Sequence, residues 1–120
     1  MKQQNKKIRI LILDDQPGRG QFFAWYLRSA GFSVAEYTCP HEALKNIREV
    51  DILVTDSHMP GMTGLEVARR AYAKDWKGAL FIMCGHVAMI VEGVEDPLLG
   101  KVLEKPFSMS QLMAKMRNLA

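Results

Sequence analysis

The stretches ILILDD, at residues 10–15, and ILVTD, at residues 52–56, decide the fold of this chain. Each is a short run of mainly apolar residues that ends in aspartate, which is typical of a strand buried in a parallel sheet. Neighbouring parallel strands place their carboxyl ends at one edge, so Asp14, Asp15 and Asp56 are predicted to converge there. Three carboxylates in one crevice repel one another unless a counter-charge is present. The pattern therefore favours a divalent cation site.

The length and composition of the chain suit one domain. It has 120 residues, of which 48% are hydrophobic, enough for a single core. We expect one domain over residues 1–120, with a flexible basic segment at residues 1–7. That segment is polar, and the first apolar run is much shorter than a signal-peptide core or a membrane span. We therefore expect a cytoplasmic protein that does not contact a membrane.

The charges and cysteines argue against other classes of protein. The formal net charge of +3 comes from scattered basic residues, and no helix-turn-helix pattern is left over once the core is assigned. Direct binding to nucleic acid is therefore not expected. The two cysteines, Cys39 and Cys84, match neither a disulfide framework nor a paired zinc motif. Reduced thiols are expected at both positions.

Strand-like runs alternate with helical patterns, which predicts an α/β fold with a parallel sheet covered on both faces. The five strands are predicted at residues 9–13, 33–37, 51–55, 79–83 and 101–104. Five helices are predicted. The first begins at Pro17, the second spans about residues 41–48 and the third begins at Gly64. The fourth ends by about Glu95, and the fifth begins at a capping box of Ser108 and Gln111. The predicted apolar positions of the first helix are Phe22, Phe23, Tyr26, Leu27 and Ala30.

A doubly wound, flavodoxin-like sheet of order 2-1-3-4-5 fits this succession of elements. In such a sheet the ligand crevice opens at the carboxyl ends of strands one and three, where the strand order reverses. Asp14, Asp15 and Asp56 all lie at that point. The topology rule and the pattern of acids therefore predict the same site independently.

Three motifs resemble the receiver domains of two-component response regulators. They are the acidic pair in ILILDDQP (residues 10–17), DSHMPGMTG (residues 56–64) and EKPF (residues 104–107), and the resemblance spans nearly the whole chain. It implies that Asp56 accepts a phosphoryl group from a sensor histidine kinase or a phosphotransfer protein. Such a domain is not a conventional enzyme, because it catalyses only phosphotransfer to its own aspartate and hydrolysis from it.

The resemblance also implies the remaining members of the site. Asp14, Asp15 and Asp56, with the backbone carbonyl of His58, would hold Mg²⁺, which suits a few carboxylates with water in the remaining positions. Lys105 would pair with the acceptor carboxylate and then with the phosphoryl group. The backbone N–H groups of Ser57 and Gly85 would hold the phosphoryl oxygens. A downstream protein would bind the face formed by the fourth helix, the fifth strand and the fifth helix, and a homodimer is left open.

Two positions depart from the family pattern. Where the family carries a Thr or Ser whose hydroxyl bonds the phosphoryl group, this chain has Cys84, and a thiol is a weaker donor. Where the family usually has a rotating Tyr or Phe, this chain has Val102. Both departures predict an atypical output switch. The backbone N–H groups of Ser57 and Gly85 could still support phosphorylation.

Alternatives of other classes stay open. A receiver fold that docks partners independently of phosphate is compatible with Cys84 and Val102. A flavin carrier would need a phosphate-binding loop after the first strand, and an aspartate-based phosphatase would need Asp-x-Asp there instead of adjacent acids. Neither is expected. His58 and His86 either tune water access to the site or are ordinary loop residues.

Overall fold

Strands and helices alternate along the described part of the chain. The computed structural model describes residues 7–84 and 102–104, with side chains over residues 7–83. In chain order the elements are β1 (Arg9–Leu13), α1 (Pro17–Ser29), β2 (Ser33–Tyr37), α2 (Pro40–Lys45), β3 (Ile52–Asp56), α3 (Gly64–Ala73), β4 (Ala79–Cys84) and β5 (Val102–Glu104). The predicted α/β class is confirmed. The predicted fourth and fifth helices lie outside the described residues.

Within residues 7–84 and 102–104 the strand pairs are parallel, and the hydrogen-bonded strands lie in the order β2-β1-β3-β4-β5. In β1, Leu13 lies opposite Tyr37 of β2 on one side and Thr55 of β3 on the other. In the next pair, Asp56 of β3 lies opposite Met83 of β4. This register brings the carboxyl ends of β1, β3 and β4 to one edge of the sheet.

The sheet is covered on both faces because successive side chains of a strand point to opposite sides. Leu11 and Leu13 of β1 belong to the core cluster that also contains residues of α2 and α3. Ile10 and Ile12 of the same strand belong to a second cluster, which contains Ala24 and Leu27 of α1. The helices therefore pack on opposite faces, as a doubly wound sheet requires.

Helix α1 faces the sheet mainly through small residues and leaves two of its aromatic residues exposed. Pro17 occupies the first turn of the helix, and the buried positions are Gly20, Ala24 and Leu27. Phe22, which the helical spacing assigned to the apolar face, is 55% exposed, and Trp25 is 65% exposed. The prediction for Phe22 was wrong. The buried stripe has the spacing i, i+4, i+7 and starts at Gly20, and a pattern of hydrophobic residues does not detect a stripe that starts with glycine.

Several element boundaries differ from the predicted ones by one to three residues, most clearly those of α2 and β3. Helix α2 ends at Lys45 instead of Arg48, and Asn46 follows as its cap, with its side-chain amide donating to the carbonyl of Glu42 at 2.9 Å. Strand β3 begins one residue late and includes Asp56. None of the helices within residues 7–84 is long and apolar enough to cross a membrane.

Candidate functional site

Three aspartates meet at the carboxyl edge of the sheet. Asp14 and Asp15 follow β1, and Asp56 is the last residue of β3. One carboxylate oxygen from each lies within 4.8 Å of those of the other two. Asp14 and Asp56 are buried and Asp15 is half-buried. The predicted convergence of these residues is thus present in the structure.

The backbone fixes this edge on both sides. The N–H of Asp14 donates to the carbonyl of Tyr37 at 3.1 Å, which ties the end of β1 to β2. The N–H of Ser57 donates to the carbonyl of Met83 at 3.0 Å, which ties the end of β3 to β4. The Asp14 carboxylate also accepts the N–H of Gln16 at 2.9 Å, so the turn into α1 is built on the acid itself.

Arg19, in the first turns of α1, inserts its guanidinium among these acids. Its Nε donates to Asp14 Oδ2 and its Nη2 to Asp14 Oδ1, both at 3.0 Å. The same Nη2 lies 3.2 Å from Asp56 Oδ2. This arrangement is a bidentate pair with one aspartate and a single contact with another, a geometry that suits the planar fork of arginine.

The neighbouring carboxylates stabilise the protonated form of Arg19. The hydrogen bond to Asp14 and the negative charges of Asp14, Asp56 and Asp15 raise the pKa of Arg19, while partial burial acts in the opposite direction. The guanidinium therefore stays protonated at neutral pH. A permanent cation sits where sequence reasoning expected a metal ion.

Ser57 and His58 lie beside the Asp56 carboxylate. The N–H of Ser57 donates to Asp56 Oδ1 at 3.0 Å as well as to the carbonyl of Met83. The Ser57 hydroxyl and the His58 Nδ1 are 2.9 Å apart, and the rest of the His58 side chain is exposed. The predicted backbone donor of Ser57 therefore already points at the carboxylate.

Gly64 is required where α3 starts against the end of β3. Its N–H donates to the carbonyl of Ser57 at 2.9 Å. A Cβ added at this glycine would overlap the backbone carbonyl oxygen of Asp56. Thr63 caps the helix through its side-chain oxygen, which accepts the N–H of Glu66 at 3.1 Å. The close approach of helix and strand therefore depends on the absence of a side chain at residue 64.

The other residues that the sequence assigned to the site are only partly described. Cys84 ends β4 opposite Glu104, and Val102 begins β5 opposite Ile82. The side chains of Cys84 and Val102, and all of Gly85 and Lys105, lie outside the described residues. Their roles stay predictions.

The donor set fits a hard divalent cation. Carboxylate oxygens are the ligands that Mg²⁺ prefers, and a few of them leave room for water in an octahedral shell. The guanidinium against Asp14 and Asp56 shows that the cluster accommodates a positive charge. The three aspartates could therefore hold a metal ion.

Sequence reasoning missed Arg19. An arginine near the start of a helix is usually a solvated surface residue, and its helical position is unfavourable for the macrodipole. The signal that could have found it is positional. Helix α1 begins at the edge where the acids lie, and residue 19 is one turn after Asp15, so a long basic side chain there reaches back to the strand ends.

Comparison with known proteins identifies the family of this chain. Over residues 10–117 the sequence matches the family described as the response regulator receiver domain. It is 31% identical over 114 residues to the response regulator receiver protein CpdR of Brucella abortus, covering 92% of this chain and 95% of that protein. It is 30% identical over 118 residues to the transcriptional regulatory protein FixJ of Azorhizobium caulinodans, covering 93% of this chain and 54% of that protein. The chain thus spans nearly all of one relative and about half of the other.

Solved structures show the same fold. The response regulator protein TrrA of Thermotoga maritima, solved in complex with Mg²⁺ and BeF, superposes with a TM-score of 0.81 at 24% identity, covering 94% of this chain and 99% of that one. The chemotaxis protein CheY4 of Vibrio cholerae gives a TM-score of 0.78 at 21% identity, covering 96% and 100%. Because the family match extends over residues 10–117 and the fold agrees, this chain belongs to the response regulator receiver domains of bacterial two-component systems.

Proposed function

We propose that this chain is a receiver domain, with five strands in the order 2-1-3-4-5 and five helices, that accepts a phosphoryl group on Asp56 in a Mg²⁺-dependent reaction. The donor is a sensor histidine kinase or a phosphotransfer protein, the partners with which receiver domains interact. The observation that supports this most is the convergence of Asp14, Asp15 and Asp56 within 4.8 Å, in a chain that matches the family over residues 10–117.

The reaction is an in-line displacement at phosphorus. An oxygen of the Asp56 carboxylate attacks the phosphorus atom, and the bond from phosphorus to the donor breaks with its electron pair leaving on the donor. The product is an acyl phosphate, which water later hydrolyses back to the carboxylate. Bound through Asp14, Asp15, Asp56 and the carbonyl of His58, Mg²⁺ would supply positive charge that neutralises the phosphoryl oxygens.

The protein contributes orientation and hydrogen bonds. Strand β3 fixes the backbone of Asp56, and the N–H of Ser57 at 3.0 Å holds one carboxylate oxygen. In the phosphorylated protein the N–H groups of Ser57 and Gly85 donate to phosphoryl oxygens, and Lys105 supplies a further positive charge. The Asp56 backbone and the Ser57 N–H are held in place by β3 and its neighbour β4, so these two groups need little reorganisation as charge develops.

The response to phosphorylation is atypical in this proposal. Cys84 replaces the hydroxyl that would bond the phosphoryl group, and Val102 has no ring to rotate. The signal then reaches a downstream protein through the fourth helix, fifth strand and fifth helix. It does so without a hydroxyl at residue 84 and without the rotation of an aromatic ring at residue 102.

A second candidate function is a docking module that binds its partner independently of phosphate. Cys84 and Val102 favour it, because both weaken the usual coupling between the phosphoryl group and the output face. The two candidates differ in one observable, which is whether Asp56 becomes phosphorylated.

Intact-mass spectrometry tests the proposal. The protein is incubated with acetyl phosphate and MgCl₂, alongside Asp56→Asn and the control Asp75→Asn. Asp75 is exposed and has a φ of 66°, a backbone conformation that asparagine tolerates. We expect one added phosphoryl group on the wild type and on Asp75→Asn, and none on Asp56→Asn. An equal gain on all three proteins would refute Asp56 as the acceptor, and no gain on any would favour the docking module.

A further inference from the structure

We propose that Arg19 is an internal counter-cation that occupies the acidic site before the metal arrives and has to withdraw for Mg²⁺ to bind. This inference rests on the proposed function, since it concerns the same metal site. In this inference, Arg19 sets the affinity of the protein for Mg²⁺.

The exposure of the three side chains is the first support. The Asp14 side chain is 0% exposed and that of Asp56 is 8% exposed, whereas the side chain of Arg19 is 48% exposed. In this arrangement the two carboxylates offer little surface to a cation from solvent, and the guanidinium contacts both of them. Arg19 itself reaches water and can swing outwards without disturbing the core.

The hydrogen bonds are the second support. Both oxygens of Asp14 accept from Arg19 at 3.0 Å, and Asp14 Oδ1 also accepts the N–H of Gln16 at 2.9 Å. At least three of the roughly four acceptor sites of the Asp14 carboxylate are therefore taken, two of them by the guanidinium. A metal ion and Arg19 compete for the same oxygens.

Electrostatics gives the competition its direction. Without a cation, three carboxylates close together destabilise the folded state, and Arg19 relieves that repulsion. Once a divalent cation is bound, the guanidinium adds a like charge beside it. Arg19 therefore stabilises the metal-free protein, and the same stabilisation lowers the affinity for Mg²⁺, because the ion has to replace Arg19 at the carboxylates.

The experiment measures Mg²⁺ binding by isothermal titration calorimetry and thermal unfolding with and without MgCl₂. The variants are Arg19→Gln and the control Arg28→Gln. Arg28 lies on the same helix, is 50% exposed and pairs with Glu36 at 3.1 Å away from the acidic site. Both substitutions remove one positive charge, so a general effect of net charge appears equally in both.

We expect Arg19→Gln to bind Mg²⁺ about tenfold more tightly than the wild type, while Arg28→Gln changes affinity less than about twofold. We also expect Arg19→Gln to lower the Tm of the metal-free protein and to increase the rise in Tm on adding MgCl₂. Arg19→Lys, which keeps the charge but loses the bidentate fork, is expected to bind Mg²⁺ with intermediate affinity. This conservative variant also serves if Arg19→Gln folds poorly.

Mg²⁺ affinity in Arg19→Gln and Arg19→Lys equal to or weaker than that of Arg28→Gln would overturn the inference. If the wild type binds Mg²⁺ and that result is found, the proposed function stands and only the role of Arg19 falls. If neither the wild type nor any variant binds Mg²⁺, both the inference and the metal dependence of the proposed function are wrong.

Discussion

At the scale of single residues, the site is a balance between negative charge and the cations that offset it. Asp14 and Asp56 are almost completely buried, and Arg19 bonds both. Buried carboxylates without a partner are costly, so the sequence that brings the acids together also needs a cation beside them. Arg19 provides that cation within the described residues, and an ion can do so when it is bound.

Residue 84 allows a second residue-scale prediction. Replacing Cys84 by threonine restores a hydroxyl that can donate to a phosphoryl oxygen, and a hydrogen bond to a charged group contributes about 1.5–3 kcal/mol. We expect Cys84→Thr to lengthen the lifetime of the acyl phosphate about tenfold or more, measured by intact mass after removal of the phosphodonor. Cys39→Thr is the matched control because Cys39 is exposed on the loop before α2.

Equal lifetimes in Cys84→Thr, Cys39→Thr and the wild type would contradict this prediction. They would mean that residue 84 does not contact the phosphoryl group. The atypical switch would then have to be explained by other residues.

At the scale of elements, the junction between β3 and α3 couples the fold to the site. Gly64 lets α3 start against the backbone of Asp56, where an added Cβ would overlap the carbonyl oxygen. We expect Gly64→Ala to destabilise the protein by about 1–3 kcal/mol and to weaken phosphorylation, because the clash displaces Asp56. Urea unfolding and the acetyl phosphate reaction measure the two effects.

Gly18→Ala is the control for this substitution. Gly18 lies in the first turn of α1, and a Cβ added there has no neighbour within 4 Å. The same change is expected to raise stability by about 0.4–1 kcal/mol, since alanine restricts the unfolded chain more than glycine. A Gly64→Ala variant as stable and as readily phosphorylated as the wild type would show that the junction tolerates a side chain.

The two tryptophans test how the helices pack. Trp76, after α3, is 4% exposed and its Nε1 donates to the carbonyl of Val50 at 2.7 Å, whereas Trp25 of α1 is 65% exposed. We expect Trp76→Ala to lower the free energy of unfolding by about 3–5 kcal/mol and Trp25→Ala to change it by less than about 0.5 kcal/mol. Urea unfolding followed by circular dichroism compares them, and similar losses would contradict the orientation of α1.

At the scale of the whole molecule, much of the fold could be predicted because the central strands β1 and β3 are buried. Strands β1 and β2 have the bounds that their apolar patterns predicted, and α3 begins at Gly64 as expected. The convergence of the aspartates followed from the parallel arrangement alone. Helix α2 was predicted too long because its end depends on Asn46 bonding back to Glu42, a local choice that periodicity does not encode.

The parts that could not be predicted depend on tertiary placement. Phe22 fits a helical stripe equally well whether or not that stripe contacts the sheet, and only the packing of Gly20 and Ala24 decides the rotation of α1. Arg19 is a polar residue at a polar helix start, so its residue type does not distinguish it from a solvated surface arginine. Its spacing of one turn from Asp15 becomes informative only once α1 is placed at the acidic edge of the sheet. Its role becomes visible only when β1, β3 and α1 are placed together.

The chemical identity of the phosphorylated residue tests the central claim most directly. Borohydride reduces an aspartyl phosphate to homoserine, and tandem mass spectrometry of the digested protein then locates that residue in the sequence. After treatment with acetyl phosphate and MgCl₂, we predict homoserine at position 56 and at no other aspartate. Homoserine at another position, or none in a protein shown to bind Mg²⁺ and to be folded, would contradict the assignment of Asp56 as the phosphoacceptor.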